Sequence, residues 1–133
     1  MKIVQKYDRA IIAEIAKGCG SKNVKSTYSY LDVANYRSGG KFFCEIFDDC
    51  AFYAGNIGKK HFRLVETAVK QDAHGKGYGT MMIIRMKQLC KKNGLEKITL
   101  RTAKDETAVH FFRKCGGVIT GEKGTDFEME IKA

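Results

Sequence analysis

The sequence predicts an α+β fold, a mixed and mostly antiparallel sheet with a central parallel strand pair, flanked by about four helices. Three observations predict it. Short turns separate three apolar runs between residues 41 and 70, which reads as an antiparallel meander. From Thr80 the apolar residues change to helical spacing, at Met82, Ile83, Met86, Leu89 and Cys90. An alternating run over 96–102 then completes a strand–helix–strand crossover, whose two strands are expected to be parallel neighbours.

Each element has its own local reason. Residues 2–6 form a short strand. Asp8 is an N-cap, followed at helical spacing by Ala10, Ile11, Ile12, Ile15 and Ala16, and Gly18 and Gly20 end that helix. Ser21 or Ser26 starts a second helix through Tyr30, Leu31, Ala34 and Asn35, broken by Gly39-Gly40. Strands at 41–47, 50–56 and 61–70 are joined by Asp48-Asp49 and by Gly58-Lys59-Lys60. Asn93-Gly94 closes the helix that follows. Asp105 caps a fourth helix carrying Ala108, Val109, Phe111, Phe112 and Cys115, with Gly116-Gly117 as its stop. Strands at 118–119 and 126–131 finish the chain. No linker divides it, so residues 1–133 are read as one domain.

The chain has 133 residues, 44% hydrophobic and 29% charged, which excludes a disordered tail or a collagen-like chain. No apolar run approaches the ~18 residues that a membrane helix needs. The N-terminus lacks the apolar core of a signal peptide, so a cytoplasmic location is expected. Cys19, Cys44, Cys50, Cys90 and Cys115 are scattered without a Cys-x-x-Cys pair, which fits neither a disulfide framework nor a metal site. The net charge is +9. Residues 70–104 hold nine basic residues against Asp72 and Glu96, so most of that charge lies in a quarter of the chain. Such a concentration suggests a polyanion nearby, either a nucleic acid, an acidic partner or a phosphate-rich cofactor.

The segment His74-Gly75-Lys76-Gly77-Tyr78-Gly79-Thr80 lies between a strand and an amphipathic helix. Alternating glycines let backbone approach a ligand closely. The free amides of the next helix's first turn, its dipole and Lys76 favour an anion. The spacing fits neither the Walker loop nor the dinucleotide fingerprint. The strand before the segment, the helix after it and the local charge together favour a pyrophosphate site, with a purely structural turn as the alternative.

Val69 through Thr80 resembles the acetyl-CoA loop of the GNAT-type N-acetyltransferases, whose pattern is [R/Q]-x-x-G-x-[G/A] after a strand ending in Val. The glycines fit, and the first position is His74. Downstream, Asp105, Ala108, Phe112 and Gly116-Gly117 follow the family's Asn, Ala, Tyr and Gly turn, with Asp for Asn and Phe for Tyr. The resemblance implies a cofactor site of Ala68, Val69, His74, Gly75, Lys76, Gly77, Tyr78, Gly79, Thr80, Asp105, Ala108 and Phe112. The strand ending at Ala68-Val69 would splay from its neighbour and bind the pantetheine arm. An amine acceptor would enter from the side of the N-terminal helices.

Acetyl transfer needs a neutral amine, a polarised thioester carbonyl and a proton for the departing thiolate. Phe112 lacks the hydroxyl that the family commonly uses as the acid, which leaves His110 and Tyr53 as candidate donors. Glu66 is the candidate base. Strand parity groups it with Leu64 and Ala68, against Val65, Thr67 and Val69, unless a bulge reverses that. Glu45, Asp48, Asp49 and Glu66 are the acids available for an acidic acceptor pocket. The acceptor class stays open among protein N-termini or lysines, polyamines, aminoglycosides, amino acids and charged transfer RNA. A CoA-binding module without catalysis is the second reading. A nucleic-acid-binding domain is the third, disfavoured because the basic residues fall on the cofactor-loop helix without an aromatic platform. The chain is read as a monomer or a homodimer, with pairing through the last strand.

Overall fold

The computed structural model describes residues 1–20 and 24–133. The chain runs β1 (Ile3–Gln5), α1 (Arg9–Gly18), α2 (Val24–Arg37), β2 (Phe42–Phe47), β3 (Ala51–Ile57), β4 (His61–Val69), a 3-10 turn (Gln71–Ala73), α3 (Tyr78–Lys92), β5 (Lys97–Ala103), α4 (Glu106–Lys114), β6 (Gly117–Lys123) and β7 (Asp126–Lys132). One seven-stranded sheet takes the order β1-β2-β3-β4-β5-β7-β6. All neighbours are antiparallel except β4 and β5. The expected α+β architecture with one central parallel pair is therefore the observed one.

Local chemistry explains the boundaries. The Asp8 carboxylate accepts from the Ile11 amide at 3.1 Å and starts α1. Helix α2 begins at Val24, so Ser26 lies inside it rather than at its start, and Ser21 lies outside the described residues. Helix α3 begins at Tyr78, so the end of the glycine segment is the helix's first turn. The expected short strand at 118–119 continues to Lys123 because β7 pairs along its length. β7 is enclosed between β5 and β6, which excludes pairing of two copies through the last strand; β6 is the edge.

Two apolar layers hold the sheet. On one face, Ile12, Ile15 and Leu31 of α1 and α2 pack on Cys44, Ile46, Phe52 and Ala54. On the other, Met82, Met86 and Phe112 of α3 and α4 pack on Phe47, Phe62, Ile98, Met129 and Ile131. Each of the larger side chains removed from water here contributes about 1.5–3 kcal/mol before entropy is charged.

Two irregularities position the site. β4 and β5 pair only at their starts, His61 with Lys97, Phe62 with Ile98 and Arg63 with Thr99. Beyond Arg63 they diverge. β4 also carries a bulge, since Ala54 faces Glu66 and Gly55 faces Leu64, so Val65 is the extra residue. Gly55 is required there. A Cβ on it would run into the Arg63 carbonyl and come within 2.6 Å of Phe62 Cζ.

Candidate active site

The gap between the ends of β4 and β5 opens into a cavity of about 740 Å³. One wall is Thr67, Ala68 and Val69 at the end of β4, and the other is Ala103 at the end of β5 with Asp105 just beyond it. The rim is the segment from Ala73 to Thr80, and the floor is Met82, Phe111 and Phe112. Of the residues expected at a cofactor site, all line this cavity except Lys76, which is exposed at the rim. Thr67, Ala73, Met82, Ala103, Thr107 and Phe111 line it too and were not anticipated. Phe111 falls one residue from Phe112 on a short helix, and the two rings meet edge to face with centroids 5.3 Å apart.

The rim suits an anion. Gly75 and Gly77 have φ of +78° and +86°, a conformation that side chains rarely adopt, and each has open space where a Cβ would be. Gly77 caps α3, and no side chain among the described residues bonds to the helix's first turn. Those amides are left for a ligand, with the positive end of the helix dipole behind them. Tyr78 anchors the rim from below. Its hydroxyl donates to Asp48 Oδ2 at 2.8 Å, and Asp48 Oδ1 accepts from the Lys2 amide at 2.6 Å. The bond to Asp48 pushes the Tyr78 phenol up to about 12. The Lys2 amide, then Tyr78, holds the Asp48 carboxyl below the usual range.

Several expected side chains are otherwise engaged. His74 folds back so that its Nε2 lies 3.1 Å from the Val69 carbonyl oxygen. The Asp105 carboxylate accepts from the Thr107 amide at 2.8 Å and the Ala108 amide at 3.2 Å, so it serves as the cap of α4. His110 points elsewhere, into a depression formed with Lys104, Arg113, Ile119 and Phe127. Tyr53 is fully enclosed in the core, and its hydroxyl donates to Glu45 at 2.5 Å. Neither His110 nor Tyr53 reaches the cavity, because helix periodicity turns one outward and the sheet buries the other.

Glu66 lies one residue before the cavity wall. The bulge separates it from Leu64, which joins the α3 layer, and sets it beside Val65 and Ala68, which pack toward α1 and α2. Burial pushes its carboxyl above the ordinary range, against a smaller opposing pull from the Thr67 amide, 3.3 Å away. The acidic pocket expected from Glu45, Asp48, Asp49 and Glu66 does not assemble. Glu45 is on the opposite face from Glu66 and is held by Arg85, and Asp48 is spent on Tyr78 and Lys2.

A splayed parallel strand pair with a glycine rim at a helix N-terminus defines an acyl-CoA-type transferase architecture. The acetyltransferase (GNAT) family model matches residues 12–117, and the chain belongs to that family. Among solved structures, the PaiA N-acetyltransferase of Thermoplasma acidophilum, in complex with coenzyme A, superposes with a TM-score of 0.82 at 18% identity, covering 100% of both chains. The ribosomal-protein-alanine N-acetyltransferase of Escherichia coli gives 0.77 at 15% identity, covering 98% of this chain and 92% of that one. An aminoglycoside 6′-N-acetyltransferase complexed with coenzyme A gives 0.72 at 12% identity, covering 99% and 97%. At these identities the likeness is one of fold. No curated protein sequence matches the chain.

Proposed function

We propose that this protein is an acetyl-CoA-dependent N-acetyltransferase that passes the acetyl group to a primary amine by direct attack. The observation that carries this reading is the cavity between β4 and β5, rimmed by the uncapped first turn of α3. Acetyl-CoA, when bound, supplies an activated acyl thioester. The amides of Gly75 through Gly79 are suited to its pyrophosphate, and the unpaired end of β4 at Ala68 and Val69 to its pantetheine arm. A backbone amide near Val69 is suited to polarise the acyl carbonyl. Glu66, whose carboxyl burial pushes above the ordinary range, takes in its ionised form the proton of the incoming amine from the α1/α2 side. Met82 and Phe112 keep water from the cavity floor.

Phe112 favours one second reading, a CoA-binding module without turnover, because it offers no proton to a thiolate. Two measurements separate these possibilities. Thermal unfolding with acetyl-CoA, free CoA and ATP tests the cavity, since ligand at 100 times its Kd adds about 2.7 kcal/mol. A shift with both CoA forms and not ATP supports the assignment, and no shift at millimolar acetyl-CoA overturns it. Thiol release across a panel of amines then decides between enzyme and module.

A further inference from the structure

The charge that the sequence concentrates in residues 70–104 does not stay together in the fold. Lys70, Lys76 and Lys104 lie around the cavity end of the sheet. Lys91, Lys92 and Lys97 lie at the other end, where α3 stops and β5 begins. There they meet basic residues from outside that window. The Lys41 carbonyl accepts from the Ile57 amide, Ile57 faces Phe62, His61 faces Lys97, and Lys97 faces Lys132. This register is one transverse line across β2, β3, β4, β5 and β7. Lys59 and Lys60 stand on the turn between β3 and β4, and the Lys60 carbonyl accepts from the Glu96 amide, which ties that turn to the end of α3.

At this end Lys41, Lys59, Lys60, Lys91, Lys92 and Lys132 are all exposed. None forms an ion pair among the described residues. Lys97 is bound to Glu130 at 2.8 Å, and Glu96 is the remaining acid of the α3–β5 turn. Lys6 and Arg9, farther along toward β1, are matched by Asp8 and Asp32. The excess positive charge is therefore drawn out in a row. Five adjacent strands at about 4.8 Å spacing make it about 19 Å long, with the α3 lysines set to one side.

We infer that this end of the sheet, opposite the cavity, is a docking surface for the phosphate backbone of a duplex nucleic acid. An extended row of cations matches a partner whose charge is linear and evenly repeated. The residues are lysines on turns and strand ends, which suits backbone contact and not base reading. No exposed aromatic side chain stands among them, since Tyr30 and Tyr36 are on α2, which argues for a duplex over a stacked single strand. A membrane surface fits less well, because docking there calls for an apolar set to insert, and Val118 is the one exposed large apolar side chain on the strands beside this row. The inference does not depend on the acetyltransferase reading.

The test is fluorescence anisotropy of a labelled 20-base-pair RNA duplex, titrated with the full chain between 50 and 200 mM KCl. The variant K59E/K60E/K92E is compared with a charge-matched control, K17E/R113E/K123E, whose exposed residues lie away from this row. The expected result is salt-dependent binding that falls at least about tenfold in the first variant and shallows its salt slope, while the control keeps the greater part of the affinity. Equal loss in both variants overturns the inference in favour of net charge alone. Binding to vesicles containing phosphatidylserine, with none to the duplex, overturns it in favour of a membrane. Circular dichroism melting of both variants, and an unchanged melting shift with CoA, show that the changes leave the fold and cavity in place.

Discussion

Tyr53 and Glu45 face each other across the β2–β3 pair, and the phenol donates to the carboxylate at 2.5 Å, with both side chains enclosed. Arg85 of α3 completes the group, with Nε 3.1 Å from Oε1 and Nη2 2.6 Å from Oε2. Burial, and then the Glu45 carboxylate, pushes the Tyr53 phenol far above its ordinary range. Tyr53 is thus a permanent donor to Glu45 and has no proton to give the cavity. Tyr53→Phe is expected to lower unfolding free energy by about 2 kcal/mol while leaving kcat unchanged. Arg85→Met is expected to cost more, about 3 kcal/mol, because it strands a buried carboxylate. Urea denaturation and turnover assays check both, and a large fall in kcat for Tyr53→Phe would return Tyr53 to the chemistry.

Under the proposed mechanism, Glu66 links the pH dependence of stability to that of activity. Its native pKa is raised, so the folded protein keeps a proton that the unfolded chain has already lost. Stability therefore falls as pH rises from the unfolded value through the raised one, and then levels off. Glu66→Gln is expected to flatten that part of the profile and to raise stability at neutral pH. The same variant is expected to lose about 100-fold or more in kcat, with the rising limb of the pH–rate curve gone. Full activity in Glu66→Gln would assign deprotonation to water.

Gly79 is pressed against the cavity floor. A Cβ there would lie 2.9 Å from Phe111 Cζ, so Gly79→Ala must displace a ring that lines the cavity. Affinity for CoA is expected to fall about tenfold, which is 1.4 kcal/mol, with a smaller effect on melting in the absence of ligand. Isothermal titration checks it. Equal losses in both measurements would make the position structural.

Phe112 lines the floor where a hydroxyl is wanted. Phe112→Tyr is expected to raise kcat, by about tenfold if protonation of the thiolate limits the rate, without changing the CoA melting shift. A protein that stays inactive with every amine before and after this change would be read as a binding module.

Asp105 is expected to act on the helix and not on the ligand. Asp105→Ala should cost about 1 kcal/mol through loss of the α4 cap, and Asp105→Asn should recover most of it. A CoA affinity that drops equally for Ala and Asn would show instead that the carboxylate touches the cofactor.

Much of this architecture was legible because its causes are local. The meander over β2, β3 and β4 shows as alternation between turn residues, and α3 and α4 show as apolar faces with glycines at their ends. The glycine rim showed for the same reason, since positive φ at Gly75 and Gly77 is written in the residue type. The features that were missed depend on distant partners. Glu45 reads as an ordinary strand acid until Arg85, forty positions later, is brought over it. The place of β7 between β5 and β6 follows from pairing that no window of sequence contains. The basic row joins Lys41, Lys59, Lys60 and Lys132 to Lys91 and Lys92, so a count over residues 70–104 held only part of it. The bulge, raised from the sequence only as a possibility, had one local signal, Gly55 within β3.

The bulge at Val65 gives β4 two phases of alternation in one strand. Before it, Phe62 and Leu64 share the α3 side; after it, Thr67 takes that side, with its hydroxyl 3.6 Å from Met82 Sδ, and Glu66 takes the other. Deleting Val65 would set Leu64 and Glu66 next to each other opposite Gly55 and Ala54, so the bulge would go while Glu66 kept the α1/α2 side and Thr67 the α3 side. Straightening the strand with Val65 retained would do the opposite, carrying Glu66 to the apolar layer beneath α3 with Leu64 and turning Thr67 toward α1 and α2. The surplus residue is thus what lets one strand offer a carboxylate to one side and a cavity wall to the other, and the sides from which the two reactants would meet depend on its being left out of the pairing.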